Sequence, residues 1–229
     1  MKPIIGKTLL TGIPHEGGKI TFQHPPFKGF YGNVAEQIDG ANLQRPNSLQ
    51  TASLVHDAFQ NPQGQYESGI INILRDSWLW EFTGNLYLPE KEGEEFHNGV
   101  ILESNPTIEN GKLVMDRKAL TERLRNKDPS VKFVPFGYKT GKQNLLELLK
   151  NPYILARYGE QGAEKIAEIA SKYKKTPRLW SFDSVNEEQT SMSALDVSCL
   201  FGSGLHVNGN YWGSDSHGDA FGVLEDKAA

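Results

Sequence analysis

The residue types best suited to chemistry are concentrated near the C-terminal end of the chain, between Gly202 and Val223. In an extended backbone, side chains two residues apart point to the same side, so Asp215, His217 and Asp219 would share one face. His206 would join them if its strand paired with the next strand across the intervening turn. Two imidazoles and two carboxylates suit a divalent metal with its bound water, or a general acid and base without metal. The predicted catalytic residues are His206, Asp215, His217 and Asp219, with a divalent metal as the candidate cofactor.

The same stretch also has a purely structural interpretation. Asp, Ser and Gly are the residues expected in a polar hairpin turn. A calcium-binding loop is rejected, because Ala220 occupies the position that needs glycine and the imidazole of His217 replaces an oxygen ligand. The sequence therefore predicts either a polar hairpin turn or a catalytic site in this stretch.

A second candidate site is an anion-binding turn at Lys139, Thr140 and Lys142. A turn that leads from a strand into a helix presents free backbone N–H groups, and the two lysines add positive charge. The phosphate-binding loop of nucleotide triphosphatases is excluded, since the glycine spacing is one residue too short and Gln143 follows the lysine. An ordinary strand-to-helix turn is the alternative.

Aromatic residues form a third candidate. Trp78 and Trp80 alternate along a predicted strand and therefore share one sheet face, where they serve either as a stacking platform or as core. The chain has no Gly-x-Ser-x-Gly, His-Glu-x-x-His or Cys-x-x-Cys motif. The single cysteine, Cys199, lies in an apolar context typical of a small buried residue.

Composition limits the class of protein. The formal net charge is -4 and the pI about 5.9, which argues against nucleic acid as a partner. No apolar run reaches the length of a signal peptide or a membrane span, so we expect a soluble, cytoplasmic protein that does not associate with membranes. We expect residues 1–229 to form one globular domain. A homo-oligomer is compatible with the sequence.

Strand and helix signals alternate irregularly, which disfavours a doubly wound parallel sheet. We predict an α+β fold: a mixed, mainly antiparallel sheet with helices packed on one side. Helices are predicted to begin near Asn33, Asn47, Asp116 and Asn144, and the clearest apolar stripe follows Gly162. The polar segment 183–193 is predicted to be a mobile loop.

These observations favour a protein that binds or acts on a small polar or anionic molecule, including the hypothesis of a metal-assisted hydrolase. The alternative is a non-catalytic protein-interaction or structural protein. Its partner surface would use the loops at 90–98 and 183–193 or an exposed aromatic patch.

Overall fold

The computed structural model describes residues 3–4, 7–197, 204–211 and 216–224 and confirms the predicted α+β class. The helices are α1 (Tyr31–Gly40), α2 (Ser48–Ala58), α3 (Gln65–Asp76), α4 (Arg117–Arg125), α5 (Leu145–Lys150) and α6 (Pro152–Ser171). The strands are β1 (Pro3–Ile4), β2 (Lys7–His15), β3 (Gly18–His24), β4 (Phe27–Gly29), β5 (Trp78–Leu88), β6 (Gly99–Ser104), β7 (Thr107–Glu109), β8 (Lys112–Val114), β9 (Val131–Pro135), β10 (Gly141–Lys142), β11 (Arg178–Trp180), β12 (Gln189–Asp196), β13 (His206–Tyr211), β14 (Gly218–Ala220) and β15 (Val223–Leu224).

A nine-stranded, mainly antiparallel sheet forms the centre of the fold. Its main path runs β10-β11-β13-β12-β5-β14-β4, and only the β11–β13 and β5–β14 pairs are parallel. The second half of β5 also pairs with β6, which in turn pairs with β9. A smaller sheet has the order β1-β2-β3-β15, and β7 with β8 forms a separate hairpin. The long strand β5 thus organises the described residues.

Alternation along β5 assigns its side chains to two faces. Leu79 and Tyr87 belong to a core that includes residues of α2, α3 and α6. Trp80 and Phe82 point the other way, toward α1, and Leu86 packs near α4. The prediction of helices on one side therefore holds for α2, α3 and α6, whereas α1 and α4 cover part of the opposite face.

Local capping chemistry explains where two helices begin. Asn47 caps α2 and Asn144 caps α5. Each asparagine side chain accepts a bond from the backbone N–H of the third helical residue, Gln50 or Glu147. The side chain of that residue accepts a bond from the backbone N–H of the asparagine. Such boxes satisfy backbone N–H groups that have no partner within the helix. Asn33, where a helix start was also predicted, does not cap α1, because α1 begins at Tyr31 and Phe30 is its N-cap.

Helix α6 contains a break at Gly159. This residue has φ 69° and ψ 176°, a conformation that a side chain disfavours, and it separates two helical stretches. Gly162, which precedes the predicted apolar stripe, lies within the helix against Leu49. A pocket lies beside this break.

The two loops proposed as partner surfaces are more ordered than expected. Residues from Gln189 onward form β12, so the loop prediction is wrong for 189–193. Arg117 holds the acidic loop after β5 through an ion pair to Glu94, and it also pairs with Glu188. None of the helices among the described residues is both long enough and apolar enough to cross a bilayer.

Candidate functional site

The structure separates His206 from Asp219, one of the other predicted catalytic residues. His206 lies on β13 and Asp219 on β14, and these strands do not pair with each other, so the pairing that would have brought His206 to the other residues does not form. Strands β12 and β5 lie between them, which places the two backbones about 14 Å apart at about 4.8 Å per strand.

The remaining members of that set have separate surroundings. The His217 ring packs against Phe30 at 4.3 Å between ring centroids. Asp219 is buried, and its Oδ1 lies 3.5 Å from the exposed ammonium of Lys28. Asp215 lies outside the described residues. Within the described residues, no three His, Cys, Asp or Glu side chains are grouped so that they could hold a metal ion, and metal-assisted hydrolysis stays a prediction.

The predicted anion-binding turn already holds a carboxylate. Lys139 Nζ lies 2.8 Å from Glu147 Oε1, and Glu147 Oε2 accepts a 2.8 Å bond from the backbone N–H of Asn144. The hydrogen bond from Lys139 lowers the pKa of Glu147, which favours its ionised form. Lys142 is exposed on the edge strand β10, and Thr140 precedes that strand. Glu147 therefore supplies the negative charge that Lys139 and this helix start attract.

His206 instead has a partner that sequence reasoning missed. Its Nδ1 lies 3.1 Å from Oδ1 of Asp196, which is directly opposite on β12. Asn208 Nδ2 donates a 2.6 Å bond to the other carboxylate oxygen, and all three residues are buried. The Trp180 ring lies 6.1 Å from the imidazole, edge-on. A carboxylate that orients an imidazole is an arrangement used in acid–base catalysis.

A second missed feature is a fully buried ion pair between Glu81 and Arg157. Neither side chain is exposed to solvent. The Tyr158 hydroxyl lies 3.0 Å from both oxygens of Glu81, and Arg157 Nε donates a 2.9 Å bond to the Ser48 hydroxyl. Burial lowers the pKa of Arg157, but the adjacent carboxylate outweighs this effect and raises it above the usual range, so the guanidinium stays charged.

This cluster continues into the sheet. Arg157 Nη1 donates a 2.8 Å bond to the carbonyl oxygen of Asn208. Tyr153 bonds to Asn85 at 2.5 Å, and Asn85 in turn donates to Ser193 at 3.0 Å. Since buried polar groups are costly unless they are paired, this many satisfied groups indicates a well-defined arrangement.

A pocket of about 400 Å³ lies beside the break in α6, adjacent to the buried ion pair. Six segments meet there: the β2–β3 turn, the start of α2, the middle of β5, the end of β6, the start of β9 and the broken helix. Its polar lining includes Asn47, Thr83, Ser104, Asn105, Ser130 and Lys132. These segments are far apart in sequence, and no single motif could have revealed the pocket.

Hydrogen bonds hold the pocket wall in place. Ser104 N–H donates 2.9 Å to the carbonyl of Ser130, and Asn105 N–H donates 2.8 Å to that of Phe82. Asp128 accepts bonds from both the backbone N–H and the hydroxyl of Ser130, at 2.9 and 2.6 Å. Among the described residues, by contrast, no hydrogen bond or ion pair engages the Lys132 ammonium, the Ser104 hydroxyl or the Asn105 side-chain amide.

Comparison of the chain with protein-family models, with curated proteins and with solved structures finds no match in any of the three. Functional inference therefore depends on the geometry of the pocket and of the buried polar groups.

Proposed function

We propose that the protein binds a small polar molecule carrying an anionic group, in the pocket beside Gly159. The observation that carries this proposal is the convergence of unengaged polar side chains on one pocket. Lys132 contributes a cation that no described carboxylate neutralises, and Ser104 and Asn105 contribute uncommitted hydrogen-bonding groups. Such groups are suited to orient a ligand by hydrogen bonds and charge.

The size and rigidity of the pocket support binding of a small molecule. Its volume of about 400 Å³ is within the range typical of ligand pockets, about 300–1,000 Å³. The inner wall includes Arg157, whose charge is balanced by Glu81, and the outer wall is fixed by Asp128. A wall held by internal bonds reduces the ordering cost of binding.

Thermal unfolding in the presence of small carboxylates, inorganic phosphate and sulfate tests the proposal. A ligand at about 100 times its Kd should stabilise the fold by about 2.7 kcal/mol. We expect Lys132→Gln to abolish the stabilisation and Lys118→Gln, an exposed lysine on α4, to retain it. If no compound stabilises the protein, or if both variants respond like the wild type, the proposal is wrong.

A second candidate function, general acid–base catalysis, is favoured by the Asp196–His206 geometry. Oδ1 of Asp196 lies 3.1 Å from Nδ1 of His206, so the carboxylate orients the imidazole as carboxylates do in acid–base sites. Hydrolysis of p-nitrophenyl acetate and p-nitrophenyl phosphate provides a first test. His206→Gln should lower any activity by about a hundredfold or more. His97→Gln, a change at a half-buried residue of the β5–β6 loop, should not lower the activity, and equal activity in both variants would rule this role out.

A further inference from the structure

Besides Lys132 and the paired Arg157, the pocket has a third charged side chain, which has the opposite sign to Lys132. Glu16 lies on its rim, at the turn between β2 and β3. Lys132 and Glu16 do not form an ion pair with each other in the structure. The pocket therefore presents one cation and one anion that remain separate.

Glu16 is held in a defined position. Its backbone has φ 46°, which is uncommon for a residue with a side chain, and His15 Nε2 lies 3.3 Å from its carboxylate. Lys165 donates 2.9 Å to the carbonyl of Pro14 and 2.7 Å to the hydroxyl of Ser53. These contacts fasten the turn to α2 and α6 and so place Glu16 beside the pocket.

The other charges near the pocket are already satisfied. Arg157 is paired with Glu81, and Asp128 is paired with Arg123 at 2.8 Å. The contact of Glu16 with His15 adds little opposite charge, because burial lowers the pKa of His15 and favours the neutral imidazole. Lys132 can therefore attract an anionic group, and Glu16 a cationic group. Complementary charge in a binding site mainly determines which ligand is selected.

We infer that the ligand is a small zwitterion, a molecule with both a carboxylate and an ammonium group, such as a free amino acid. This inference rests on the proposed function. Lys132 with Asn105 would bind the carboxylate, and Glu16 would bind the ammonium. The Ser104 hydroxyl would contact the polar atoms between these groups.

Matched ligand sets test this assignment. Glycine, β-alanine, 4-aminobutyrate and 5-aminovalerate are compared with carboxylates and with amines of the same chain lengths, by calorimetry or NMR titration. We expect one amino acid to bind at least about tenfold more tightly than its matched carboxylate, as one charge-assisted contact allows. The best chain length reports the separation of the two charges in the pocket.

Two variants separate the contributions of the charges. Glu16→Gln should remove the preference for the amino acid and leave the affinity for the carboxylate within about twofold, whereas Lys132→Gln should weaken both. Glu122→Gln, an exposed change on α4, is the control and should alter neither.

The outcomes distinguish the two proposals. If carboxylates bind as tightly as amino acids and Glu16→Gln changes nothing, the zwitterion assignment fails while anion binding stands. If none of the compounds binds, both fail.

Discussion

Arg157 and Asn208 connect the two faces of the central sheet through a hydrogen bond of 2.8 Å from guanidinium to carbonyl oxygen. On the helix side, Arg157 is paired with Glu81 below the pocket. On the opposite side, the Asn208 amide bonds to Asp196, which orients His206. The pocket beside Gly159 and the Asp196–His206 pair are therefore parts of one continuous polar network.

The buried ion pair should be important for stability even if an apolar pair could replace it. Arg157→Met leaves the Glu81 carboxylate buried without its counter-charge, and we expect the free energy of unfolding to fall by about 3–5 kcal/mol. Urea unfolding measures this change. Arg125→Met, which removes an exposed pair with Glu95, is the control and should cost at most about 1 kcal/mol. Equal effects of the two variants would contradict the assigned role.

Gly209 is required by the close approach of α6 to β13. A Cβ at this position would overlap the Tyr153 hydroxyl and lie 3.3 Å from Arg157 Nη1. We expect Gly209→Ala to destabilise the protein by about 1–3 kcal/mol, and Tyr153→Phe to recover part of that loss in a double-mutant cycle. Gly69→Ala, in α3 with open space around the added methyl group, should be neutral or stabilising. Additive effects of the changes at 209 and 153 would show that the two sites do not interact.

The fold class and several helix starts could be predicted because their signals are local. Asn47 and Asn144 act on backbone groups within three residues, and the structure confirms both caps. The alternation of Trp78 and Trp80 likewise placed both rings on one face, where they stack 6.3 Å apart. Asn33 carried the same type of signal, but α1 begins two residues earlier.

The candidate site could not be predicted because it depends on long-range pairing. Asp196 becomes the partner of His206 only through the register of β12 on β13. Glu81 was visible as a charged residue inside an apolar strand, but its partner Arg157 lies 76 positions away on a different element. The pocket lining, similarly, joins residues from Glu16 to Gly159.

Asp128 should make the stability of the folded protein depend on pH in the acid range. Hydrogen bonds from Ser130, together with Arg123, lower the pKa of its carboxyl from 3.8 to about 2. Because the folded state favours the ionised form, this stabilisation is fully present above about pH 3.8 and is lost as the pH falls toward 2. Asp128→Asn should therefore be less stable than wild type at neutral pH, with a difference that shrinks in acid. Urea unfolding at a series of pH values measures it, and a constant difference would contradict the assignment.

Lys165 should control the order of the β2–β3 turn, which carries Glu16. Lys165→Met keeps the apolar stem of the side chain but removes the bonds to Pro14 and Ser53, and we expect a loss of about 1–3 kcal/mol. Hydrogen exchange should accelerate at the amides of the turn more than at those of α2, because the turn loses its attachment while the helix core is unchanged. Lys172→Met, an exposed change at the end of the same helix, is the control. Unchanged exchange at the turn would mean that Lys165 does not position Glu16.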